Sequence, residues 1–203
     1  MTPVAADLNR LLRLMILSVT SPRDAAGVLM ATNLSRAILW QSLVLVTVLS
    51  VLLVALTQGP MPELPVGATT PISVTPYAYA VILGSSLVML VFAVHFTGQA
   101  LGGTGDFGST LILVIWIEVL GMALRMIQTI VLLVNPYVAS LFSVLGFGLL
   151  CWVLLSFVNA LHRFDSMWKA LFTLVLAVIG ISIGITLILT LIGVSLSGGG
   201  MDV

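Results

Sequence analysis

The sequence predicts an all-α, polytopic integral membrane protein with five transmembrane helices, preceded by a short amphipathic helical segment on the cytoplasmic side. Three observations support this. Of 203 residues, 60% are hydrophobic and only 7% are charged, against roughly a quarter charged in soluble domains. Long apolar intervals recur, each close to the ~20 residues that cross ~30 Å of hydrocarbon as a helix. Basic residues gather in segments that five crossings place on one side.

Residues 1–35 are expected to form two short helices. The first is amphipathic and suited to the headgroup region, because one face carries Leu8, Leu11, Leu12, Met15 and Ile16. In the second, Ser21 is expected to cap the helix, with Pro22 at its first position and Asp24 completing a capping box. Packing of the segment against the cytoplasmic ends of the bundle is the alternative to an interfacial position.

Residues 36–196 are expected to form the bundle. Spans are predicted at about 37–57, 77–101, 110–134, 137–161 and 168–194. The interval 58–76 is rich in Pro and Gly and predicts a loop, and Asn135-Pro136 predicts a tight turn. Residues 197–203 are expected to form a flexible tail.

The basic residues predict the orientation. Six of the seven fall before the first span or between the fourth and fifth, and these two regions share a side when there are five spans. The excess of Lys and Arg on cytoplasmic loops predicts a cytoplasmic N-terminus and an extracytoplasmic C-terminus. Arg125 is the exception, because it falls inside the third span.

Polar side chains inside the spans are candidates for function, because charge is costly in lipid. Glu118 and Arg125 lie seven residues apart, beyond the usual three- or four-residue pairing. We expect Glu118 to meet His95 at similar depth on the neighbouring span, as a proton or cation relay or as a structural clasp. Arg125, with Gln128 just beyond it, is expected to reach the outer interface or a polar neighbour, as a snorkelling anchor or a substrate contact.

Glycines indicate turns and close helix packing. Gly102, Gly103 and Gly105 predict a tight cytoplasmic turn between antiparallel helices and no phosphate-binding loop, because no strand precedes them and no Lys follows. The four-residue spacing of Gly98 and Gly102, and of Gly180 and Gly184, is typical of closely packed membrane helices. The second pair is the better candidate for a subunit contact.

The sequence argues against an enzyme. No residues have the pattern of a catalytic group, a cofactor site or a metal site. Cys151 is expected to be a buried, inert thiol, and His162 is expected to lie in a solvated link between spans. Formal net charge is zero, which offers no attraction to nucleic acid.

Three segments together resemble the Yip family, the Ypt-interacting proteins, in its shorter bacterial type. They are SPRDAAGVLMATNLSRAILWQSL, HFTGQALGGTGDFGST and FVNALHRFDSMWKALF. The resemblance implies five spans and a cytoplasmic N-terminus, and with the compact loops it favours a bacterial inner membrane. Eukaryotic members bind Rab-type GTPases, but the sequence shows neither their long N-terminal region nor their Asp-Leu-Tyr-Gly-Pro motif, so GTPase binding is not carried over.

The expected function is that of a non-catalytic membrane protein that organises membrane, or is an accessory or assembly partner of other membrane proteins. Its expected contacts are the lipid bilayer and either other membrane proteins or further copies of itself. The alternative is a small transporter or channel that uses His95, Glu118 and Arg125. Flux through the purified protein would separate the two.

Overall fold

The computed structural model describes residues 3–32, 34–58, 63–65, 71–73 and 75–191. This part of the chain contains seven helices and two three-residue strands. The helices are α1 (Pro3–Thr20), α2 (Pro22–Met30), α3 (Arg36–Gln58), α4 (Pro76–Ala100), α5 (Phe107–Val134), α6 (Pro136–His162) and α7 (Met167–Leu191). The predicted tail, 197–203, lies outside the described residues.

Five of these helices, α3 to α7, are long and apolar enough to cross a membrane, so the predicted fold class is confirmed. Within the predicted 58–76 loop, β1 (Glu63–Pro65) and β2 (Pro71–Ser73) form a short antiparallel ladder in which Leu64 is opposite Ile72. Proline-rich composition did not predict this pairing. The α2–α3, α4–α5 and α6–α7 connections share one end of the bundle, here called the basic end because Arg36, Arg163 and Lys169 lie in or next to them.

Helix starts follow from local sequence. The side chains of Thr75 and Asn135 accept hydrogen bonds from backbone N–H groups in the first turns of α4 and α6, and proline occupies the next position in both. Asp106 does the same for α5. Proline suits that position because the first helical N–H groups have no partner within the helix. The helix of α2 begins as expected at Pro22, but the Ser21 side chain makes no capping bond, so that prediction was wrong.

The first two helices are packed against the bundle. Ala25 and Ala26 of α2 are fully buried, and α2 contacts both α5 and α6. From α1, the Ser18 hydroxyl accepts a hydrogen bond of 2.8 Å from the indole Nε1 of Trp116. Trp116 lies nine residues after the start of α5, or about 13 Å along it. The end of α1 therefore lies at the depth of the membrane-spanning helices.

The core is formed by buried residues of α2 to α7, and α5 is the most enclosed span. Its buried residues include an unbroken run from Thr110 to Trp116, so this part of α5 is covered on all sides. Cys151, expected to be buried, is exposed on the surface of α6, because its side chain points outward from the bundle. In a membrane that surface faces lipid.

Candidate functional site

The two charged residues in the middle of α5, Glu118 and Arg125, form an ion pair. Arg125 Nη2 donates to Glu118 Oε1 at 2.6 Å, and Ser50 Oγ of α3 donates to the same oxygen at 2.6 Å. The Glu118 side chain is 10% exposed, against 29% for Arg125. A buried ion pair survives desolvation only when its geometry is good and further hydrogen bonds satisfy the remaining groups. The Ser50 hydroxyl supplies one such bond.

Glu118 and Arg125 are seven residues apart, and the direction of side chains on a helix allows them to meet. Long side chains on a helix lean toward its N-terminus, so the Arg125 guanidinium extends back along α5 toward Glu118. Gly121 lies between them, and a Cβ at that position would stand 3.4 Å from Arg125 Nη2. Because Gly121 has no side chain, the guanidinium of Arg125 has room to lie along this face of α5. Nη1 of Arg125 is buried without a hydrogen-bond partner among the described residues.

The expected pair of His95 with Glu118 does not form. The ring of His95 packs edge-on against Phe96 and Phe107, at centroid distances of 5.4 and 5.5 Å. Phe107 is the first residue of α5, whereas Glu118 lies eleven residues, or about 16 Å, further along. The depth estimate was wrong because α5 begins earlier than the sequence suggested and His95 stands level with its start.

Arg125 and Gln128 both form side-chain hydrogen bonds within the bundle. The expected snorkelling of Arg125 is wrong, since its guanidinium turns toward Glu118. Gln128 Nε2 donates to Ser143 Oγ of α6 at 2.6 Å. One polar bond joins α3 to α5 and another joins α5 to α6, so these groups can act as clasps between neighbouring helices.

A second polar group, which no pattern in the sequence indicates, lies at the basic end. His162, the last residue of α6, is 1% exposed, so its expected place in a solvated link is wrong. An ideal Cβ at Gly98, Gly103 or Gly105 would come within about 3 Å of the His162 side chain. The imidazole thus lies directly against the backbone of α4 and of the α4–α5 connection.

Hydrogen bonds hold that connection to the end of α6. Gly105 N–H donates to His162 Nδ1 at 3.4 Å, and Thr104 N–H donates to the His162 carbonyl at 3.3 Å. Gly102 alone needs glycine for its backbone, with φ +83°. Gly103 and Gly105 make room for the ring. The predicted turn therefore also packs against His162 and donates a hydrogen bond to its ring.

Asp106 anchors the start of α5 beside this connection. Partial burial acts to raise the pKa of Asp106, but hydrogen bonds from the Ser109 hydroxyl, the Ser109 N–H and the Gly108 N–H outweigh it and hold the pKa below its usual value. The Ser109 N–H to Asp106 Oδ1 distance is 3.0 Å. The carboxylate form is the better helix cap, because an anion at a helix N-terminus is favoured.

Gly180 and Gly184 behave differently from Gly98. A Cβ at either α7 position would meet nothing within 4 Å. Both line a surface groove of about 340 Å³ between α4 and α7, together with apolar side chains that include Phe92 and Phe96. These two glycines therefore make no close helix contact within the described part of the chain.

Comparison with known proteins identifies the family. The family model described as the Yip1 domain matches residues 16–196, which includes α2, all five spans and the polar groups described above. Neither the curated proteins nor the solved structures contain a match to the chain. Because the matched region covers far more than half of the sequence, the chain belongs to the Yip family.

Proposed function

We propose that this protein is a non-catalytic membrane protein that organises membrane, or serves as an accessory or assembly partner of other membrane proteins, through helix packing. One observation carries the proposal. Glu118 and Arg125 pair with one another inside the chain, whereas Gly180 and Gly184 of the α4–α7 groove have open space beside their backbone.

The α4–α7 groove has the properties of a helix-packing surface. Gly180 and Gly184 stand one turn apart on α7, and Ala93 and Ala177 also line the groove. Association of helices in lipid depends on close van der Waals contact, which small residues permit. A transmembrane helix of a partner protein could approach the α7 backbone here without meeting a side chain at either glycine.

The transporter alternative is less well supported by the same geometry. A relay needs polar groups along its length, yet Glu118 is engaged by Ser50 and Arg125, and His95 stands about 16 Å away along α5. Glu118→Gln in proteoliposomes tests it directly. Solute-dependent flux that is lost in Glu118→Gln, with the protein still assembled, would establish transport and overturn the proposal.

The main test is recovery of partners in mild detergent, followed by mass spectrometry. The variant is Gly180→Ile with Gly184→Ile, which fills the groove. Gly148→Ile on α6 is the matched control, because a Cβ at Gly148 also meets nothing within 4 Å. We expect a defined partner, or a second copy of the chain, with the wild type and the control but not with the double variant. Equal recovery from all three proteins would remove the groove from the proposal.

We further propose that the basic end faces the cytoplasm of a bacterial cell, with the N-terminus inside and the C-terminus outside. The support is the charge asymmetry, because Arg23, Arg36, Arg163 and Lys169 all lie at that end. Single cysteines introduced near each terminus, in a Cys151→Ala background, can be tested with a membrane-impermeant thiol reagent. Labelling of both termini from the same side would contradict an odd number of spans.

A further inference from the structure

A notch on the basic half of the bundle, between the start of α2 and α6, carries two free charges. Its volume is about 360 Å³, and its lining includes Arg23, Asp24, Trp152, Ser156 and Met167. The side chains of Arg23 and Asp24 are exposed. Neither makes an ion pair or a side-chain hydrogen bond within the described part of the chain. The notch thus offers one cation and one anion side by side.

The notch extends from the headgroup level, where Met167 begins α7, into the adjoining hydrocarbon, where its α6 lining residues lie. Helix α6 has 27 residues, about 40 Å, so it extends about 5 Å beyond ~30 Å of hydrocarbon at each end. Ser156 lies six residues before its last residue, or about 9 Å, which is about 4 Å inside the hydrocarbon boundary. Trp152 stands one turn deeper, about 10 Å inside that boundary.

An apolar groove continues from the notch toward the membrane interior. It has a volume of about 310 Å³ and is lined by side chains of α1, α5 and α6, including Met15, Ile16 and Leu149. Thr20 and Val153 line the groove, and their chain neighbours Ser21 and Trp152 line the notch. The two cavities therefore lie next to one another, with the charges in the notch and, apart from Thr20, an apolar lining in the groove.

We propose that the notch and the groove together bind one phospholipid with a phosphoethanolamine headgroup. Arg23 donates hydrogen bonds to the phosphate, as guanidinium groups do. Asp24 accepts hydrogen bonds from the ammonium group, and one acyl chain fills the α1–α5–α6 groove. The site is separate from the α4–α7 groove and does not depend on the function proposed above.

The charges select this headgroup over its common alternatives. An anionic phosphatidylglycerol satisfies Arg23 but places no cation near Asp24. A phosphocholine headgroup has both charges, but its quaternary ammonium has no N–H to donate to the Asp24 carboxylate. Only the primary ammonium matches both side chains, so the ethanolamine lipid should bind most tightly.

The test is native mass spectrometry of the full-length protein, purified in detergent and offered equimolar phosphatidylethanolamine, phosphatidylglycerol and phosphatidylcholine. We expect phosphatidylethanolamine to be retained preferentially by the wild type. Arg23→Gln should reduce retention of all three lipids about tenfold, as expected for loss of a charge-assisted hydrogen bond. Asp24→Asn should remove the preference for ethanolamine and leave phosphatidylglycerol binding intact. Lys169→Gln is the control, because Lys169 is exposed at the same end and does not line the notch.

Three outcomes would overturn the proposal. A wild type that prefers phosphatidylglycerol would show that only positive charge is recognised. Equal loss in Lys169→Gln and Arg23→Gln would indicate general attraction to the basic end. Full competition by soluble phosphoethanolamine at the same concentration as the lipid would show that the apolar groove contributes nothing. Because Arg23 and Asp24 are exposed, both variants should elute from gel filtration as the wild type does.

Discussion

The contacts of His162 predict that one substitution rescues a glycine variant at position 98 but not at position 103. Alanine at position 98 would place its Cβ within 3 Å of three atoms, all in the imidazole ring. Alanine at position 103 would meet the ring and also the Cβ of His162, at 2.6 Å. His162→Ala removes the ring and keeps that Cβ. The rescue should therefore operate only at position 98.

The size of the effect follows from the overlap. Carbon atoms in contact are normally about 3.5–4.0 Å apart, so a 2.6 Å approach to the Cβ of His162 is about 1 Å too close. Forcing extra volume into a packed core costs about 1–3 kcal/mol. In Gly98→Ala/His162→Ala this cost should vanish, leaving the double variant no less stable than His162→Ala. In Gly103→Ala/His162→Ala the overlap with the retained Cβ remains, so the double variant should be less stable than His162→Ala by about 1–3 kcal/mol.

The assay is the free energy of unfolding in mixed micelles, from a denaturant titration followed by tryptophan fluorescence. Gly148→Ala is the control, because a Cβ there meets nothing within 4 Å. Gly103 has no positive φ, so backbone strain does not confuse its alanine variant. A Gly98→Ala variant as stable as wild type, or equal rescue at both positions, would contradict the contacts of His162 described above.

Three further predictions concern the charged and capping groups. Arg125→Ala should lower the free energy of unfolding by about 3–5 kcal/mol, because it leaves the buried carboxylate of Glu118 unpaired, whereas the double variant Glu118→Leu/Arg125→Leu should be nearly as stable as wild type. An equal loss of stability in the single and the double variant would contradict a buried ion pair. Gly121→Leu should displace the guanidinium and approach the Arg125→Ala value, while Gly121→Ala, with its Cβ 3.4 Å from Nη2, should retain most of the stability. Asp106→Ala should cost about 1 kcal/mol at pH 7 and Asp106→Asn little. Because the folded-state pKa of Asp106 is lowered, its contribution to the free energy of unfolding is present above the unfolded pKa of 3.8 and is lost as pH falls through the folded-state pKa. Unfolding of the wild type and of Asp106→Asn, measured from pH 7 to pH 3, checks this.

The bundle was predictable because hydrocarbon thickness imposes length and apolarity on each crossing. The capping residue and proline at the start of α4 (Thr75-Pro76) and of α6 (Asn135-Pro136) also act within a few residues, so their effect is visible in the sequence. The partner of a buried charge is harder to predict from the sequence than the helices themselves. Lipid requires that Glu118 be compensated, but whether by His95 or by Arg125 depends on the depths at which α4 and α5 begin.

The two glycine pairs show where local pattern stops being informative. Gly98 and Gly102 have the same spacing as Gly180 and Gly184, and sequence alone treats both as close-packing positions. The structure separates them, because Gly98 is covered by the His162 ring, which arrives from a residue 64 positions away, whereas Gly180 and Gly184 face open space. Packing within the chain accounts for the glycine at position 98. No contact within the described part of the chain accounts for Gly180 and Gly184, so we propose the α4–α7 surface, and not the glycine turn, as the site where a partner binds.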